Sequence, residues 1–158
     1  MTRSGLFALG VVASVLLLGC SSGPVRRVSE PAASIQQLTV HANGSWSLDL
    51  RLQNYSSIPM RFDRTQLTLT VDGQPAGTVN SSPALSVGPE SADVVTVPFQ
   101  PDSGARMVLA DVLASRRSLP YSLEGTLTAT PEEGKVREFK VEGKNTLSPV
   151  PGLDGVLR

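Results

Sequence analysis

The 158-residue chain has one cysteine and one histidine. A single cysteine excludes an intramolecular disulfide and any cysteine-based zinc site, and a single histidine excludes a multi-histidine metal site. There is no excess of charge either, since 14 Lys and Arg balance 14 Asp and Glu. Nucleic-acid binding draws on counterion release by clustered cations, so this balance argues against it. Aromatics are sparse, at 1 Trp, 2 Tyr and 4 Phe, and none form a spaced stripe for stacking on bases or sugars.

What is present begins at the amino terminus. Arg3 precedes an uncharged apolar run from Leu6 to Leu18. Its 13 residues fall short of the roughly 20 a spanning helix needs. They suit the apolar region of a signal peptide. The run ends in Leu17-Leu18-Gly19-Cys20, which resembles a bacterial lipobox although Leu18 is larger than the residue usual there. The resemblance implies diacylglyceryl attachment to the Cys20 thiol, cleavage after Gly19 and acylation of the new amino end. Small Gly19 gives a peptidase access to the backbone, and each buried CH₂ of an acyl chain contributes about 0.8 kcal/mol to anchoring. With no Asp after Cys20, sorting habits point to the outer membrane, facing the periplasm. Removing residues 1–19 leaves 139 residues, enough for one domain, and 13 cations against 14 anions.

Residues 20–34 are rich in Ser, Pro and Arg without periodicity, and are expected to form a lipidated flexible linker. Arg26 and Arg27 within it read as solvated charges. From Gln36 the pattern turns to period two. Trp46, Leu48, Leu50 and Leu52 alternate with Ser47, Asp49, Arg51 and Gln53, as in a strand with one wet face. Leu38 and Val40 form the strand before it, and Asn43-Gly44 between them predicts a type I′ hairpin turn. Leu67, Leu69 and Val71 lead through Asp72-Gly73 into a second hairpin. Val95, Val97 and Phe99 make another strand. Tyr121 to Ala129 and Val136 to Glu142 form a third hairpin around Glu133-Gly134.

One segment has helical spacing instead. Leu109, Val112 and Leu113 mark a short helix, with Asp102 or Ser103 available as N-cap and Arg116 and Arg117 at its carboxyl end. Residues 146–158, with Pro149, Pro151 and two glycines, are expected to be a loose tail. The pattern gives an all-β fold, an antiparallel β-sandwich of about seven strands with one short helix, and a closed barrel as the competitor.

The run from Leu50 to Phe62, LRLQNYSSIPMRF, resembles the opening of the water-stress and hypersensitive-response domain of late embryogenesis abundant type-2 proteins. The order continues with Leu67 to Gly73 followed by Gly77, Leu85 to Ser91, Val95 to Val97, Leu119 to Gly125, and Phe139 to Gly143. It departs at Tyr55, where the family commonly has Pro. The resemblance covers residues 35–145. It implies an immunoglobulin-like or fibronectin-III-like sandwich associated with desiccation and other stress, and carries over no catalytic residue or cofactor. Asn54, Gly73 and Gly125 are the matched motif positions. Asn54 suits a turn closed by side-chain hydrogen bonds, and the glycines suit tight backbone.

Elsewhere the chemistry is thin. His41 sits beside a turn, and no Gly-x-Ser-x-Gly elbow supplies a nucleophile for it. Trp46 starts an alternating strand and reads as core. Asn43, Asn54 and Asn80 open three glycosylation-type triplets that read as turn chemistry in a bacterial protein. No enzyme, metal or cofactor is expected. The expected partners are the membrane, through Cys20, and envelope proteins. Two functional readings follow: a protectant of envelope proteins or membrane during water loss, and a structural adaptor docking an envelope or secretion complex through a sheet edge or loops.

Overall fold

The computed structural model describes residue 23 and residues 25–158. The chain order is β1 (Ala32–Val40), β2 (Trp46–Gln53), β3 (Met60–Val71), β4 (Gln74–Ser81), β5 (Leu85–Val87), β6 (Ala92–Phe99), α1 (Ser103–Ser115), β7 (Leu119–Pro131), β8 (Arg137–Leu147) and β9 (Val156–Leu157). One sheet has the order β6-β2-β1-β9. The other runs β4-β3-β7-β8, with β5 paired to the start of β3. Every pairing is antiparallel. The two sheets share no strand, so the molecule is a sandwich and not a barrel.

The alternation in sequence becomes the core directly. Leu48, Leu50 and Leu52 of β2 face Leu67, Leu69 and Val71 of β3 and Leu123 and Leu127 of β7, all fully buried. Each such side chain contributes roughly 1.5–3 kcal/mol on leaving water. Trp46 is 1% exposed and packs on Phe99 with ring centroids 5.8 Å apart. The helix buries Ala105, Leu109 and Val112 at spacings of four and three, the stripe that docks it on β4 and β3. Asp102 is its N-cap residue, yet its carboxylate makes no capping bond. The two expected arginines lie at the carboxyl end of the helix, just past the last turn. Arg116 is the left-handed C-cap, and Arg117 bridges Asp72 and Asp111 at 2.9 and 3.0 Å.

Four expectations are corrected. Among the described residues, nine strands replace about seven, because β5 and β9 are too short to show periodicity. The tail is held, not loose: Val40 N–H donates to Gly155 O at 2.8 Å, Arg158 N–H to Ser148 O at 2.9 Å, and Leu157 is fully buried beside β1. Its prolines and glycines make turns that fold it back onto an open strand edge. The linker is shorter than residues 20–34, since β1 starts at Ala32 and the segment from Val25 is hydrogen-bonded to the domain. The type I′ turn lies at Asp72-Gly73, with φ of 48° and 78°, and not at Asn43-Gly44. There only Gly44 has positive φ. Gly44 N–H bonds His41 O at 2.9 Å and Ser45 N–H bonds the Asn43 side chain at 3.0 Å, giving a longer loop.

Two residues of β7 set its spacing from its neighbours, Gly125 within the sheet and Tyr121 across the sandwich. A Cβ on Gly125 would lie 2.1 Å from Gln66 O of β3, so only glycine lets the two backbones approach this closely. Tyr121 reaches across the sandwich. Its hydroxyl accepts from Ile35 N–H at 2.9 Å and donates to Ile35 O at 3.3 Å, where β1 carries a register shift before Gln37. Burial pushes the Tyr121 ionisation above the ordinary 10.0, and the Ile35 bond offsets part of that.

Gly125→Ala is expected to lower stability by about 2 kcal/mol or more, as backbone must move to admit the methyl. Urea unfolding by circular dichroism measures this, and an unchanged midpoint would refute it. Tyr121→Phe should cost about 1–3 kcal/mol at neutral pH by leaving Ile35 N–H unpaired. The raised folded value keeps Tyr121's contribution whole below the unfolded value near 10 and removes it as pH climbs through the folded one. The variant's stability should therefore decline less steeply than wild type in alkaline titration.

Candidate functional site

The chain enters the domain at one end of the sandwich, where the β2–β3 loop, the β5–β6 loop and the β7–β8 turn meet. Asn54 organises this end. Fully buried, its amide Nδ2 donates to Ile58 O at 2.9 Å, Gly88 O at 2.9 Å and, less closely, Val87 O at 3.2 Å. Oδ1 accepts from Ser56 N–H at 2.9 Å, and the Asn54 backbone N–H bonds Ser91 O at 2.8 Å. One side chain thus closes its own loop and ties β2 of one sheet to β5 of the other. Such satisfaction is what makes a buried amide stable.

The loop closed by Asn54 presents two serines to the incoming chain. Arg27 N–H donates to Ser57 Oγ at 2.8 Å, Ser57 N–H returns to Arg27 O at 3.0 Å, and Ser57 Oγ donates to Val25 O at 2.9 Å. Ser29 N–H bonds Ser56 Oγ at 2.9 Å. Arg26 pairs with Glu133 and Arg27 with Glu90. Around this docked segment, Val25, Tyr55 and Val136 are exposed at 81%, 52% and 64%. The same end of the molecule therefore combines the entry of the chain with three uncovered apolar groups.

The motif positions do not converge. Asn54 lies at this end, Gly73 in the turn at the opposite end, and Gly125 in the middle of β7. Leu17, Leu18, Gly19 and Cys20 lie outside the described residues. Exposed His41 shares a 2.6 Å hydrogen bond with Ser47 Oγ. Among the described residues no cluster of three or more His, Cys, Asp or Glu could hold a metal ion. An open groove of about 480 Å³ between α1 and the carboxyl-terminal loop is lined by Leu113, Arg116, Val150 and Leu153. It gathers no set of polar groups suited to catalysis.

Sequence reading missed Ser56, Ser57 and the Tyr121 hydroxyl. The serine bonds join positions about 30 apart in the chain, which no local pattern signals. For Tyr121 a signal existed: a tyrosine on the inward face of an apolar strand needs a partner for its hydroxyl.

Asn54→Asp replaces the buried donor facing three carbonyl oxygens with an acceptor and should cost more than about 3 kcal/mol at neutral pH. The new carboxyl would have a raised folded value, so part of the loss should return as pH falls and it protonates. Denaturant midpoints against wild type at pH 7 and below 5 measure both effects. A constant difference across that range would contradict the donor argument.

The solution structure of AT1g01470 from Arabidopsis thaliana superposes with a TM-score of 0.57 at 14% identity, covering 87% of this chain and 93% of that one. That likeness supports the sandwich fold. An X-ray structure of Northeast Structural Genomics Consortium target SoR45 matches at TM-score 0.49 and 12% identity, over 80% of this chain and 92% of that one. A crystal structure of a protein from Archaeoglobus fulgidus matches at 0.41 and 14%, over 78% and 100%. No curated protein matches the sequence. The family model described as late embryogenesis abundant protein matches residues 49–143, from β2 into β8. With that match over more than half its length, the chain belongs to the late embryogenesis abundant (LEA_2) family.

Proposed function

We propose that this protein is a non-catalytic bacterial envelope lipoprotein, anchored through Cys20, that limits damage to envelope proteins or membrane when water is lost. The family match carries the stress reading, and the Leu17-Leu18-Gly19-Cys20 sequence carries the anchor. The geometry at Val25 supports the combination. Four residues lie between Cys20 and Val25, so the tether spans five Cα–Cα steps, about 17 Å at full extension. A domain on so short a leash presents its entry end, with Tyr55 and Val136, to the lipid surface. Tyrosine suits that interface, having an apolar ring and a polar tip. The proposed location is the outer membrane, facing the periplasm.

Cys20→Ser should block lipidation, leave an uncleaved precursor and abolish incorporation of labelled fatty acid. Unchanged processing and labelling would overturn the anchor. Cells lacking the protein should lose viability and accumulate insoluble envelope protein on drying, with rescue by wild type. Equal survival and solubility with and without the protein would overturn the protectant reading.

A further inference from the structure

A sandwich leaves strand edges, and each free edge offers unpaired backbone groups to another strand. In this molecule the edges are treated unequally. β9 is only two residues long. The β4 edge is met by α1, and Asp102 N–H bonds Ala76 O at 2.9 Å. β6 is blocked in part. The Asn54 N–H to Ser91 O bond continues the β2–β6 ladder, so odd residues of β6 face β2 and even residues face out. Of the outward positions, Pro98 has no N–H, and Val94 N–H is taken by Asp93 Oδ1 at 2.8 Å.

Among the described residues, β8 lacks such protection over most of its 11 residues. The 2.7 Å bond from Asp72 N–H to Pro120 O continues the β3–β7 ladder, so even residues of β7 face β3 and odd residues face β8. Gly125 pairs with Val141, which leaves the even residues of β8 with N–H and C=O pointing outward. Asn145 Oδ1 covers Thr146 N–H at 2.8 Å. Glu138, Lys140, Glu142 and Lys144 remain, and their side chains are exposed on the outer face. The inner face is closed below by β1, whose Ala33 O lies 3.3 Å from a Cβ placed on Gly143.

The charges specify the occupant. We propose that this edge pairs antiparallel with β8 of a second copy of the chain, about a two-fold axis at Val141. That register sets each Lys140 opposite Glu142 of the other copy, and each Glu138 opposite its Lys144. Moving the axis to Lys140 or Glu142 sets like charges together, so the charge pattern selects the register. It also answers a repulsion within one chain. Glu142 lies directly opposite Glu124 on β7, and its nearest cation, Lys144, is 3.9 Å away. In the dimer, a lysine of the second copy flanks Glu142 on its open side. Phe139, half-buried two residues from the axis, gains cover as well.

One strand edge buries less than the roughly 1,600 Å² of a standard interface, so a reversible dimer is expected. The test is sedimentation velocity of the detergent-extracted full-length protein over a concentration series. Wild type should dimerise, whereas Lys140→Glu and Glu142→Lys should each weaken association at least 10-fold. Mixed together, the two variants pair opposite charges again and should dimerise within about 3-fold of wild type. Matching circular dichroism melts would show that both variants fold. A wild type monomeric at all concentrations, or association indifferent to these charges, would overturn the proposal. So would a mixture no tighter than its components.

Discussion

The buried amide of Asn54 is the constraint around which this sandwich is arranged. A two-sheet protein with one cysteine has no covalent link between its layers, and apolar packing alone is tolerant of small slides. Hydrogen bonds are directional. By bonding carbonyls of its own loop and of the β5–β6 segment, Asn54 sets how the sheets meet at one end. It also shapes the loop whose Ser56 and Ser57 receive the incoming chain. At the other flank the Tyr121–Ile35 contact joins the layers where β1 shifts register. Gly125 permits the close approach of β3 to β7 between them. The two polar contacts, at Asn54 and Tyr121, are costly to disturb because each sits where water cannot replace it.

That arrangement gives the molecule two different ends. The entry end carries the docked amino-terminal segment with exposed Val25, Tyr55 and Val136. The opposite end carries the folded tail and, joined through the Arg117 bridge to Asp72 and Asp111, the Asp72-Gly73 turn and the helix. Under the proposed Cys20 anchor, the first end would be the one held at a surface, so its orientation would follow from the fold. The edges are likewise distinguished: β6 is blunted by Pro98 and Asp93, while β8 keeps its ladder groups beside alternating charges. A protein built only to avoid strand addition would have little reason to guard one edge and leave the longer one open.

Much of this was legible before any coordinates. Period-two alternation named the inward residues of β2, β3 and β7, because a pleated strand sends successive side chains to opposite faces. Leu109 and Val112 marked the helix by the same kind of local rule. The importance of Asn54, Gly73 and Gly125 was visible as motif positions, but their reasons differ and could not be separated there. Asn54 is a hub of hydrogen bonds, Gly73 supplies a positive φ, and Gly125 is needed for space.

Two of the errors share one cause. The linker and the tail looked loose because Ser, Pro and Gly carry no periodicity, yet both are ordered by partners distant in the chain. Val25 and Arg27 are held by Ser57, and Gly155 and Leu157 are held by β1. By itself, the sequence determined which residues are apolar and at what spacing, and hence the longer strands, the helix, the all-β class and the family, while the pairing of two separate sheets made it a sandwich and not a barrel. The tertiary structure decided which strand edges remain open, which termini are bound and which buried polar groups find partners. Those are matters of distance between segments far apart in the chain, set only once the two sheets have packed.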